Sequence, residues 1–188
     1  MVSWPRVLRF FVETLPLSEL RDRALLAAFL GAGLKTGEAQ ALPERFLARA
    51  DGWLLVENVD PRLTRRTRPL PFARAAFDAW LQERDTGSGG RTGAGVGGLA
   101  FPSSPDGRPM HKATVLRAID AQVEAAGIAD SRSRRASPQT MRNSFAALLF
   151  ERGESAELVA EWLGYEQLES AIRLQTQWRA WQRSEASV

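Results

Sequence analysis

The chain has 188 residues, 44% hydrophobic and 25% charged, which suits one compact soluble domain and excludes a disordered tail or a collagen-like or mucin-like chain. Lys and Arg total 25 against 22 acids, net +3, and Lys35 and Lys112 are the two lysines, so the basic charge is nearly all arginine, whose fork suits phosphate although a GC-rich genome gives the same bias. With no Cys and with His111 as the one histidine, disulfides, thiolate or multi-His metal sites, a Cys nucleophile and a His-centred triad are excluded, and no metal or cofactor is expected.

In chain order, residues 7–15 carry Val7, Leu8, Phe10, Phe11, Val12 and Leu15 at helical spacing, ended by Pro16. Arg6, Arg9 and Glu13 interrupt the opening segment, and the longest apolar run, residues 24–34, is too short to span a bilayer; neither a signal peptide nor a membrane span is expected, and the protein is placed in the cytoplasm. Ser18 is the candidate N-cap of a second helix running to Leu30 and closed by Gly31 and Gly33; it is apolar nearly all round and is expected to be the central buried helix. A short helix follows Thr36. Residues 53–57 and 67–72 read as strands, the second demoted to an edge by Pro69 and Pro71. Residues 72–83 return to helical spacing with Phe77, Trp80 and Leu81 inward.

Residues 85–98 hold seven glycines in fourteen and are expected to be a flexible loop. The loop contains Gly93-Ala-Gly95-Val-Gly-Gly98, but no strand precedes it and Leu99-Ala-Phe-Pro102 follows where a helix is needed, so the dinucleotide reading fails its context. Helices resume at about 111–126, 138–152, 156–163 and 169–183, with Ser137-Pro138 as an N-cap and first-turn signal and Gly153 and Gly164 as stops. The expected fold is mainly α with a small antiparallel β-hairpin or three-stranded sheet, over residues 1–188 as one domain with a C-terminal helix and tail at 175–188.

Three stretches, in order, resemble the catalytic domain of the tyrosine recombinases, the phage integrase family. Arg21-Asp-Arg-Ala-Leu-Leu-Ala-Ala-Phe-Leu-Gly-Ala-Gly-Leu-Lys35-Thr-Gly-Glu38-Ala-Gln-Ala-Leu42 is similar to the opening helix and its T-G-L-R-x-x-E-L signature. Ser137-Pro-Gln139-Thr-Met-Arg142-Asn143-Ser-Phe is similar to the P-H-x-L-R-H-x-F box, and Val159-Ala-Glu-Trp-Leu-Gly-Tyr165 to the helix ending in L-G-H. The resemblance covers residues 20–174 and implies a fold that cuts DNA through a tyrosine hydroxyl, with two guanidiniums on the phosphate, a His or Trp hydrogen bond, and Lys and His handling protons.

Carried over position by position, the implied pocket is degenerate. Lys35 stands for the first Arg, Gln139 for the His of the box and Tyr165 for the His of L-G-H; Arg142 is kept. No Lys lies at residues 61–64, where the hairpin Lys belongs, and Leu174 occupies the nucleophile position in a chain whose one tyrosine is Tyr165. The pocket of Lys35, Gln139, Arg142, Tyr165 and Leu174 is therefore read as vestigial, with no covalent chemistry expected. Arg142 is read either as a phosphate contact or as the ion-pair partner of Glu38, and Lys35 as a phosphate contact or a solvated helix end.

Charge is uneven. Arg62, Arg65, Arg66, Arg68 and Arg74 fall in a stretch without acids; residues 108–143, with Lys112, Arg132, Arg134, Arg135 and Arg142, carry net +4, and residues 151–169 net −5. The DNA-contacting set is expected to be Arg62, Arg65, Arg66, Arg68, Lys112, Arg134, Arg135 and Arg142, on double-stranded DNA. Trp178 and Trp181 lie on one face of the last helix, which packs on its own domain or docks on a neighbouring protomer as a homo- or hetero-oligomer. About twenty residues precede the opening helix, so the separate helical clamp domain of the family is expected to be absent, or the chain to be a piece of a longer protein. The functional expectation is a nucleoid-associated, catalytically inactive DNA-binding partner in recombination or integration. The alternatives are a protein-interaction module of the same fold and an active recombinase with an unrecognised nucleophile.

Overall fold

Residues 24–32 read Ala-Leu-Leu-Ala-Ala-Phe-Leu-Gly-Ala, with no polar side chain, and all nine are buried in helix α1 (Leu20–Ala32). Such a helix has no solvent face, so its neighbours must surround it. The computed structural model describes residues 20–86, 98–104, 107–125 and 137–186; the helix expected at 7–15, most of the glycine loop, and Arg132, Arg134 and Arg135 lie outside the described residues.

After α1 come α2 (Thr36–Ala41), a 3-10 turn (Glu44–Phe46), β1 (Leu54–Val56), a second 3-10 turn (Pro61–Leu63) and β2 (Arg65–Thr67). Helices α3 (Pro71–Thr86), α4 (Lys112–Ala125), α5 (Pro138–Glu151), α6 (Ala156–Leu163) and α7 (Leu168–Ala186) follow. The result is mainly helical with a two-stranded antiparallel sheet, in register Leu54↔Thr67, Leu55↔Arg66 and Val56↔Arg65. α1 packs chiefly on α3 and α5. Gly31 permits the first contact, since a Cβ there would lie 2.5 Å from the Ala73 Cβ. Phe29, Phe77, Phe101 and Phe145 are among the largest buried side chains of the core.

The second strand lies earlier than residues 67–72. Pro69 and Pro71 have no N–H for a ladder, and Pro71 instead opens α3, where the Leu70 carbonyl accepts from Ala73 at 2.9 Å and Arg74 at 3.0 Å. The pairing falls to Arg65–Thr67, which moves two of the hairpin arginines into the sheet. In α3, Phe77 is buried and Trp80 and Leu81 are half-buried against the core.

Helix α5 starts as its sequence dictates: the Ser137 side chain accepts from the Thr140 N–H at 3.1 Å and Pro138 occupies the first turn. Gly153 and Gly164 stop α5 and α6 with φ of +86° and +61°. Among the described residues no helix is long and apolar enough to cross a membrane.

Thr67 is fully buried and its Oγ1 has no hydrogen-bond partner. A buried hydroxyl left unmatched costs about 1–3 kcal/mol. Thr67→Val is therefore expected to raise Tm by about 2–4 °C per kcal/mol recovered, read by thermal unfolding; an unchanged or lower Tm would show the hydroxyl to be satisfied.

Candidate functional site

The site begins where α1 ends. Gly33 turns the chain at φ +67°, and the Leu34 N–H closes back on the Ala28 carbonyl at 3.1 Å. Lys35 follows as the N-cap residue of α2; it is exposed, and its backbone N–H donates to Glu38 Oε2 at 2.6 Å. Glu38 reaches back toward its own helix start, as a carboxylate at the third position does.

Two arginines from distant segments meet Glu38. Arg65, from β2, donates through Nη1 to Oε1 at 2.7 Å and through Nη2 to Oε2 at 3.0 Å, a two-point fork. Its Nε donates to the Trp162 carbonyl at 2.9 Å and its Nη2 also to the Gly33 carbonyl at 3.3 Å. Arg142, from α5, donates to the carbonyls of Gly33 and Leu163, and its Nη1 stands 4.0 Å from Glu38 Oε2. Its guanidinium lies 5.4 Å from the centre of the Tyr165 ring. The side chains are 2% exposed for Arg142, 7% for Arg65 and 10% for Glu38. Burial, and then the Arg65 charge, push the Arg142 guanidinium below its ordinary pKa, while Glu38 and Tyr165 pull it back up.

Gly164 makes room for this arrangement. A Cβ there would fall 2.6 Å from the Arg65 Cδ, so glycine serves both the left-handed φ and the passage of the Arg65 stem.

Of the pocket residues expected from sequence, Arg142 and Tyr165 are thus in contact, and Lys35 joins them through its backbone bond to Glu38. Gln139 is exposed on α5 and donates to Asn143 Oδ1 at 2.8 Å. Leu174 is half-buried on α7 against the core. Trp178 packs on Phe150, ring centres 5.8 Å apart, so its face belongs to its own domain; Trp181 is half-buried.

The pleat of the hairpin sorts the basic run. In a strand, side chains alternate between faces. Arg65 and Thr67 therefore turn inward with Leu54 and Val56, and Arg66 and Arg68 turn outward. Arg65, expected among the outward phosphate contacts, is corrected to an interior position on this ground. Arg66 is exposed and lies 5.4 Å over the Trp53 ring, which meets Trp162 edge-on at 5.6 Å. Arg62 is exposed but held by Asp60 at 2.9 Å. Arg74 is tied to Asp78 at 3.3 Å and to the Arg49 carbonyl at 2.8 Å. Lys112 is exposed at the first turn of α4.

Trp53 and Trp162 were not singled out by sequence. The signal available was strand alternation, which sets Trp53 on the outward face once the register of the hairpin is known. Among the described residues no three His, Cys, Asp or Glu gather as metal ligands would.

The model of the Phage integrase family matches residues 7–176. The tyrosine recombinase XerC of Syntrophus aciditrophicus (strain SB) is 25% identical over 167 residues, covering 85% of this chain and 51% of that protein. The tyrosine recombinase XerC of Pelobacter propionicus (strain DSM 2379 / NBRC 103807 / OttBd1) is 30% identical over 150 residues, 79% of this chain and 45% of that protein. The chain therefore spans about half the length of the curated relatives it matches. In fold it is similar to the XerH site-specific recombinase bound to a palindromic difH substrate in a post-cleavage complex, with TM-score 0.73 and 20% identity over 97% of this chain and 50% of that one. It is also similar to the XerA recombinase, with TM-score 0.72 and 16% identity over 91% and 55% of the two chains.

Proposed function

The chain belongs to the phage integrase family of tyrosine recombinases, and on that premise we propose that it is a DNA-binding member that does not cut DNA, serving recombination or integration as an architectural or regulatory partner. The observation that carries this reading is the fate of the hydroxyl: the one tyrosine, Tyr165, lies against the buried Arg142, and the nucleophile position holds Leu174. A leucine offers no oxygen to phosphorus. The donors that would handle protons are also replaced, with Gln139 in place of a His and no Lys at residues 61–64. Loss of even one donor to a developing oxyanion costs about 10²- to 10³-fold in rate.

Duplex binding is supported by the charges that remain outside. Lys35, Arg66, Arg68 and Lys112 are exposed, and Trp53 and Leu55 share the outward face of the hairpin with Arg66 and Arg68. Guanidiniums beside an aromatic ring suit a phosphate backbone, which is bound with release of counterions. The six relatives and fold neighbours of this family named for DNA complexes include the XerH post-cleavage complex and a lambda integrase dimer on a COC' core site, which makes duplex DNA the partner of choice. A second reading, a protein-interaction module, draws on Leu168 and Ile172, 36% and 46% exposed on α7.

Two measurements test the proposal. A nicked suicide duplex is expected to trap no denaturation-resistant adduct; an adduct lost on Tyr165→Phe would restore the enzyme reading. Duplex affinity is expected to fall as salt rises, with the slope of log K against log salt flattening by about 0.9 for each phosphate contact removed in Arg66→Ala, Arg68→Ala and the pair together. No salt-dependent binding by the wild type would leave the interaction module in its place.

A further inference from the structure

The donors of the buried arginine pair are already spent. Arg65 gives both terminal nitrogens to Glu38 and its Nε to the Trp162 carbonyl, and Arg142 gives both terminal nitrogens to the carbonyls of Gly33 and Leu163. Neither guanidinium has appreciable contact with solvent, at 7% and 2% exposure. Two arginines this close repel each other, and an anion between them is what makes the arrangement tolerable. Glu38 is that anion.

We propose that Glu38 is an internal stand-in for a phosphate: it blocks a two-arginine oxyanion site made by Arg65 and Arg142, and a phosphate or sulfate enters that site when the carboxylate is removed. Because the carboxylate is tethered, it takes the site without the loss of translational freedom that a free anion suffers. Lys35, exposed on the turn that Glu38 caps, lies at the mouth of the space that removal of the carboxylate opens. The inference rests on the DNA-binding reading in one respect only: it sends duplex contacts to the outer charges, Arg66 and Arg68, and away from Arg65 and Arg142.

The test uses thermal unfolding of the whole chain with inorganic phosphate titrated against sodium chloride at matched ionic strength. For the wild type, phosphate is expected to give no saturable rise in Tm. Glu38→Ala is expected to lower Tm in chloride by about 10 °C, as loss of a buried ion pair does, and to recover part of that loss saturably in millimolar phosphate. Glu38→Gln, closer in shape, serves if the alanine variant does not fold. Arg65→Met added to either variant is expected to abolish the recovery. Saturable stabilisation of the wild type, or none in both Glu38 variants, overturns the proposal. With duplex DNA, Glu38→Gln and wild type are compared at several salt concentrations. A steeper salt slope in Glu38→Gln supports a newly opened phosphate contact, and a slope of wild-type Arg65→Met flatter than wild type counts against the proposal. If the wild type binds no DNA, the DNA reading fails while the phosphate titration still decides this one.

Discussion

Arg142→Ala is expected to destabilise the protein by about 3–5 kcal/mol, the usual cost of breaking a buried charged cluster by removing one partner. The substitution deletes a side chain that is 2% exposed and leaves the carbonyls of Gly33 and Leu163 without that donor. It also removes the cation that faces Tyr165 at 5.4 Å. With one kcal/mol worth about 2–4 °C in a chain of this size, Tm should fall by at least about 6 °C. The matched control is Arg152→Ala, ten positions on and exposed just past the end of the same helix, which should move stability by less than about 0.5 kcal/mol. Chemical denaturation of the three proteins side by side checks both numbers. Equal losses for Arg142 and Arg152 would mean that the cluster contributes nothing.

Gly33→Ala should be nearly as damaging, for a reason that has nothing to do with charge. At φ +67° an alanine suffers a backbone cost of about 1–2 kcal/mol. Its Cβ would also lie 2.5 Å from the Phe145 Cδ1 and 2.6 Å from the Leu163 Cδ2, so two core side chains must shift, at a further cost of about 1–3 kcal/mol. Gly153→Ala separates the two contributions, since Gly153 has φ +86° and nothing within 4 Å of where its Cβ would stand. The difference between the two variants in denaturant midpoint measures the close approach of α1, α5 and α6. If the two glycines cost the same, the packing at Gly33 is looser than described.

Much of the fold was legible in the chain. The unbroken apolar surface of α1, the Ser137-Pro138 start of α5 and the glycine stops at 153 and 164 are local signals, and local signals survive folding. The hairpin was harder. Residues 67–72 look like a strand by composition, yet two prolines cannot join a ladder, and the pairing slid to Arg65–Thr67. A shift of that kind decides which arginines face inward, because the period of a strand is two. A run of like charges therefore read as one basic patch, whereas the folded hairpin divides it into a buried Arg65 and exposed Arg66 and Arg68. The pairing of Glu38 was legible only in part: its link to Arg142 could be anticipated from the two motifs, and its tighter link to Arg65 could not, since no sequence pattern connects β2 to α2.

The Gly33 carbonyl receives a donor from a residue 109 positions later in the chain, and the Trp162 carbonyl one from a residue 97 positions earlier. Bonds that span such distances reward the chain only after long loops have closed. They belong to the final consolidation of the native state and not to its nucleus, which forms among nearby helices. Weakening them should then leave the refolding rate almost untouched and speed unfolding. What this cluster controls, on that account, is how long a folded molecule lasts before it opens, the property that sets its exposure to proteases and its half-life when warmed.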